Sequence, residues 1–146
     1  MISDSEDVQA QWRAMAPKKK VAAKLIVKSP KGNVLLVKPT YKKGWQFPGG
    51  GVELGESPST ALIREIKEEV NLVISEPELR SVGIAFHAES DAVIILYELQ
   101  RQLPEDIIIR LQAEELEAYQ FVSLRDVPSL IGDHYLAFWK DYSPLA

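Results

Sequence analysis

Apolar residues along this chain alternate between the two-residue period of strands and the roughly 3.6-residue period of helices, and the switches outline the elements. Residues 1–17 are polar and weakly patterned, with Trp12 and Met15 available to dock a short helix. Residues 21–29 and 33–39 are rich in β-branched and apolar side chains, and Ser-Pro-Lys-Gly at 29–32 reads as a hairpin turn between them. Residues 45–52 carry the extended pattern into a run of glycines. Past a helical stretch, residues 79–87 and 92–100 read as strands with Glu89-Ser90-Asp91 at their turn, and 119–123 as a short late strand. Residues 130–142 bring Leu, Ile, Tyr, Phe and Trp round at helical spacing, which predicts a C-terminal helix packed on the sheet. The order implies an α/β fold, a mixed sheet flanked by two helices, with no internal repeat or interdomain linker. A polar segment, 1–17, is expected to precede one domain over 18–146.

The helical stretch in the middle is the best signalled element. Ser57 is a suitable N-cap, because its hydroxyl accepts from an orphan N–H of the first turn. Pro58 follows at the first helical position, where its missing donor costs nothing. No glycine or proline then interrupts as far as Val70, and Asn71 suits a left-handed C-terminal cap. Leu62, Ile63, Ile66 and Val70 fall on one arc and form the expected buried stripe. Glu65, Glu68 and Glu69, at i, i+3 and i+4, neighbour one another on a different arc, each like-charged pair costing about 0.2–0.5 kcal/mol. Glu68 and Glu69 also meet the unfavourable end of the helix dipole. A hard divalent cation relieves both penalties, since Mg²⁺ and Mn²⁺ take oxygen ligands from a few carboxylates, waters and phosphates. Taken alone, the three glutamates read as an ordinary solvated face, and it is the surrounding pattern that points to a cation.

The length of 146 residues fits one domain with a real core, and 46% apolar with 26% charged residues excludes disorder. The net charge of −4 speaks against nonspecific nucleic-acid binding through a basic surface, though not against a nucleotide ligand. With no cysteine there is no disulfide, thiolate nucleophile or Cys-based zinc site. The first twenty residues have no apolar core and no run reaches membrane-spanning length, so a cytoplasmic protein without membrane attachment is expected.

Around the helix the residues match a known pattern. A glycine, five residues, a glutamate, seven residues, then Arg-Glu-apolar-any-Glu-Glu-any-Gly-apolar is matched by Gly50, Glu56, Arg64, Glu65, Ile66, Glu68, Glu69 and Leu72, with Asn71 where the pattern has glycine. The lead-in, Trp-Gln-Phe-Pro-Gly-Gly-Gly-Val-Glu at 45–53, is similar as well. The chain therefore resembles the Nudix hydrolases, over about a sixth of its length. Asparagine tolerates the left-handed conformation, so the turn at 71 is expected to survive.

The resemblance implies an α/β/α sandwich around a central mixed sheet, with hydrolysis of a nucleoside diphosphate linked to some moiety X. It implies Mg²⁺ or Mn²⁺ as cofactor. Glu68 and Glu69 would be metal ligands, Glu65 a further ligand or the base, and Gly49 or Gly50 a carbonyl ligand. Glu56 and Arg64 would brace the loop and helix. A further glutamate from a downstream loop is common in the family; Glu115, six residues before Phe121, fits, with Glu114 as the near alternative and an exposed acidic loop as the other reading. Trp45 and Phe47 flank the glycine loop, and His87 lies near a strand end; each is a candidate substrate contact or a packing residue. His134 reads as a surface or capping residue. The proline and tyrosine that accompany ADP-ribose and dinucleoside-polyphosphate preference are absent around His87, Ala88 and Glu89, which leaves X open. A nucleotide-sensing module with little turnover is the alternative function. Monomer and homodimer are equally compatible.

Overall fold

A computed structural model describes residues 5–143; residues 1–4 of the polar segment and 144–146 of the expected domain lie outside the described residues. Helix α1 spans Glu6–Met15, followed by strands β1 (Lys20–Ile26), β2 (Val34–Pro39) and β3 (Gly49–Gly51). Helix α2 (Pro58–Val70) leads to β4 (Leu79–His87), β5 (Ala92–Leu99) and β6 (Leu116–Val122), and the chain closes with α3 (Val127–Leu130) and α4 (Leu136–Tyr142).

Four strands form a mixed sheet in the order β3-β1-β5-β4, with β1 parallel to β5 and the other pairs antiparallel. β2 and β6 make a second, antiparallel pair. Successive β1 side chains point to opposite faces. Ala23 and Leu25 pack with Leu62 and Ile66 of α2, whereas Ile26 packs with Phe138 and Trp139 of α4. The two helices thus cover opposite faces of the sheet. The turn at 29–32 forms, with the Gly32 N–H donating to the Ser29 carbonyl at 2.8 Å. Its arms stay paired only briefly, through Ser29–Asn33 and Leu35–Val27, before β2 leaves for β6. The expected hairpin is therefore short, because each arm finds a longer partner elsewhere.

α2 has the expected ends. The Ser57 hydroxyl accepts from the Thr60 N–H at 3.2 Å, and Asn71 adopts φ 57°, ψ 36°, its N–H donating to the Lys67 carbonyl at 3.1 Å. One expectation about its faces needs correcting. Glu69 is only 8% exposed and shares the buried side with Leu62, Ile66 and Val70, while Ile63 is half-buried. Seven residues separate Leu62 from Glu69, nearly two whole turns, so they share a face.

Two terminal expectations also change. Helix α1 forms, capped by Ser5, but buries no residue; Trp12 is 72% and Met15 82% exposed, so it does not dock. The C-terminal helix expected over 130–142 is broken, since Ile131 and Gly132 are extended and a single 3-10 turn, Asp133–Tyr135, precedes α4. Among the described residues, no helix is long and apolar enough to cross a membrane.

Candidate active site

Arg64 ties the turn before α2 to the helix itself. Its Nε and Nη2 each donate to Glu56 at 2.8 Å, a two-pronged pairing that fixes both side chains. Nη2 also reaches the Gly51 carbonyl at 3.1 Å, and Nη1 donates to Glu65 at 2.9 Å and to Glu68 at 3.5 Å. Glu56 in turn accepts the Glu53 N–H at 2.9 Å. The Arg64 guanidinium and that N–H hold the Glu56 carboxyl down at about 2, and Arg64 itself is held still more firmly charged by Glu56. Glu56 and Arg64 thus pair across the turn and the first turns of α2.

Beside this clamp lies a cavity of about 210 Å³ lined by Lys24, Gln46, Glu65, Glu69, Glu115 and the Gly49–Gly51 strand, with Tyr41 near its mouth. Gly49 and Gly50 leave no room for a side chain, whereas Gly51 faces open space. A Cβ on Gly50 would lie 2.5 Å from the Glu65 carboxyl carbon, and one on Gly49, at φ 140°, would lie 2.1 Å from the Ala23 carbonyl oxygen. The Gly49 N–H donates to Glu69 at 2.8 Å and aims that buried carboxylate. Burial pushes the Glu69 carboxyl up to about 7, against the opposing pull of Lys24 and the Gly49 N–H, with Glu65 and Glu115 adding to the rise. Glu65 is raised for the same first reason, opposed by Arg64. Burial lowers the Lys24 ammonium, while Glu69 and Glu65 resist the shift.

Glu115 arrives from the loop before β6. Its N–H donates to the Gln112 carbonyl and its carbonyl accepts from the Thr40 N–H, both at 2.9 Å. The Gln112 N–H reaches the Glu69 carbonyl at 2.9 Å, which fastens that loop to the end of α2. Glu114 turns its carbonyl to the Thr40 hydroxyl and does not line the cavity. Glu68 also stays outside it, exposed at the rim beside Arg64. Among the described residues, no three carboxylate or imidazole groups converge as a finished metal cage. The donor set nevertheless fits a hard cation that keeps waters and takes phosphate oxygens: it is all oxygen, partly buried, and walled at Gly49 and Gly50 by backbone that has no room for a side chain.

A second cavity of about 330 Å³ lies elsewhere, between β4 and α4. A larger one, about 610 Å³, is lined by Trp45, Lys42, Lys43, His87 and His134. It meets the carboxylate cavity through a shallow gap that Lys24, Gln46, Lys42, His87 and His134 border. His87 and His134, whose rings lie 4.4 Å apart, share one wall, which puts His134 at the surface of this cavity. Trp45 lines this cavity, but Phe47 does not. Phe47 is 0% exposed, packed edge-on against Tyr135 and beside Trp139, which makes it a core residue and corrects its candidacy for substrate contact. Sequence reasoning missed Lys24, Gln46 and Tyr41. A lysine set between Ala22-Ala23 and Leu25-Ile26 was the available signal for the first.

A family model described as the NUDIX domain matches residues 18–141. An RNA pyrophosphohydrolase from a Nitratiruptor species is 31% identical over 111 residues, 66% of this chain and 66% of that protein. Another, from Campylobacter jejuni subsp. jejuni, is 31% identical over 103 residues, 60% of this chain and 64% of its own length. The chain thus spans just under two thirds of the length of these curated relatives. The crystal structure of a MutT protein from Methanosarcina mazei Go1 shares the fold, with a TM-score of 0.74 at 19% identity over 88% of this chain and 97% of that one. With the glycine strand, the Arg64 clamp and the cavity glutamates all carried inside the matched region, the chain belongs to the Nudix family.

Proposed function

We propose that this chain is a divalent-metal-dependent pyrophosphohydrolase that cleaves a diphosphate linkage in a nucleoside diphosphate joined to another moiety. The observation that carries the reading is the meeting of Glu65, Glu69 and Glu115 around one small cavity walled by Gly49–Gly51. Mg²⁺ or Mn²⁺ held there by Glu69, Glu65, Glu115 and the Gly49 carbonyl, with Glu68 reaching in from the rim, would neutralise charge developing on the phosphates. The protein's own part is positioning. The Gly49 N–H points Glu69 inward, and Arg64 keeps Glu65 from swinging to solvent. Glu65 or Glu115 takes the proton from the attacking water. The larger cavity beyond Gln46 suits the nucleoside or X, with Trp45 offering a stacking face and His87 and His134 hydrogen bonds.

The relatives' name makes RNA a second substrate class to test, whereas the net charge of −4 favours a small nucleotide. Incubation with nucleoside triphosphates, sugar nucleotides, other nucleoside diphosphate derivatives and an RNA is expected to convert at least one of them in Mg²⁺ to a 5′-monophosphate, with pyrophosphate or phosphorylated X as the second product. Turnover should stop with EDTA and return with Mg²⁺ or Mn²⁺. Full turnover in chelator overturns the mechanism, and tight nucleotide binding without turnover makes the chain a sensing module.

Glu115 carries a separate expectation. Because it comes from a loop and not from the helix, Glu115→Gln tests whether the site is completed from that side. A fall in kcat of at least tenfold, about 1.4 kcal/mol of barrier, is expected, with Glu114→Gln milder. Wild-type kcat for both variants in saturating Mg²⁺ returns the loop to plain surface and leaves Glu65 as the base.

A further inference from the structure

Lys24 is the basic residue among those lining the carboxylate cavity, and the proposed chemistry has not used it. It sits on β1 directly across from Gly49 of β3. Its ammonium donates to the Gly49 carbonyl at 3.3 Å and to the Gln46 side-chain oxygen at 3.4 Å. Both contacts are longer than a good N–H···O bond, so the group is held loosely. An ammonium has three donors, and no ion pair within 4 Å joins this one to a carboxylate among the described residues. Yet Glu69 and Glu65 lie close enough to pull on its charge. Lys24 also borders the gap that leads to the larger cavity.

The backbone of Gly49 therefore serves two partners. Its N–H aims Glu69, and its carbonyl, a candidate metal ligand, is already engaged by a cation belonging to the chain. We propose that Lys24 is a built-in counter-cation: in the empty site it holds the Gly49 carbonyl and balances Glu65 and Glu69, and in the loaded site it gives up that carbonyl and binds a substrate phosphate at the gap. This rests on the metal-dependent reading above. The two roles oppose each other with respect to the metal and the substrate, which gives the proposal a distinctive signature. A residue that served packing alone would move neither quantity in this pattern.

The test is Lys24→Met, with Lys24→Gln beside it because the amide can still donate to Gly49, and Lys24→Arg to keep the charge. Mn²⁺ binding to the metal-free chain, measured by calorimetry without substrate, is expected to tighten about fivefold or more in Lys24→Met and Lys24→Gln. KM for whichever nucleotide the unmodified chain turns over should rise about tenfold, with kcat changed much less, and Lys24→Arg should restore KM in part. Thermal melting checks that each variant is folded, and either neutral variant suffices. Unchanged or weaker Mn²⁺ binding in a folded neutral variant overturns the counter-cation role, and an unchanged KM overturns the phosphate contact. Failure of the unmodified chain to bind Mn²⁺ is a different result, since it strikes the metal-dependent reading itself and Lys24's role with it.

Discussion

Glu69→Gln is expected to lower kcat by roughly a thousandfold, about 4 kcal/mol of barrier, while leaving the fold intact. Glutamine keeps the oxygen that accepts the Gly49 N–H, so the β3–α2 contact survives. What disappears is a negative charge in a place where burial already resists it. The sign follows from that resistance. With its folded value raised to about 7, Glu69 favours the fold when protonated, and this contribution fades as pH rises from the unfolded value near 4.5 through 7. Without metal, the unmodified chain should therefore lose stability over that window, and Glu69→Gln should lose less and melt no lower at neutral pH. Metal binding needs the ionised form, so Mn²⁺ affinity of the unmodified chain should climb with pH up to about 7. Near-normal kcat for Glu69→Gln in saturating Mg²⁺ removes Glu69 from the ligand set.

Arg64→Ala is expected to harm both stability and turnover. One guanidinium serves Glu56, Glu65, Glu68 and the Gly51 carbonyl, so its loss leaves several carboxylates facing one another without a counter-charge. A fall in Tm of roughly 5 °C is reasonable for a domain of this size. Release of Glu65 from its anchor should cost kcat/KM about a hundredfold, because small misplacements of reacting groups carry penalties of that order. Thermal melting and steady-state kinetics on the same sample decide the matter. A variant with normal Tm and reduced activity makes Arg64 a direct participant, and one normal in both removes the brace.

What could be read from the sequence was what is local. α2 was legible to the residue because Ser57, Pro58 and Asn71 act within a turn of where they sit. Gly50, Glu56, Arg64 and the helix glutamates come together because one loop and one helix carry them all. The fate of β2 was not legible, since its choice of β6 over β1 depends on residues some eighty positions away. Glu69 was placed on a different arc from Leu62, Ile66 and Val70 because charge was weighed above period; its spacing from Leu62 already placed it on their side. Lys24 comes to line one cavity with Glu69 and Gln46 only after β1 and β3 pair, a long-range event. Gly132 was passed over as a helix break because the apolar spacing around it is regular.

The parallel pairing of β1 with β5 also sets an order of events during synthesis. Lys20–Ile26 emerges early, yet its long partner, Ala92–Leu99, is about seventy residues behind it, and β2 waits about eighty for β6. Closing such loops before any contact rewards them is slow. A nascent chain that stops short of Leu99 would expose both faces of β1, apolar on either side, to whatever else is folding nearby. β3, arriving soon after, gives β1 an early neighbour, but its three glycines bring no side chains to bury. The strand that forms one wall of the cavity is thus made well before it is secured.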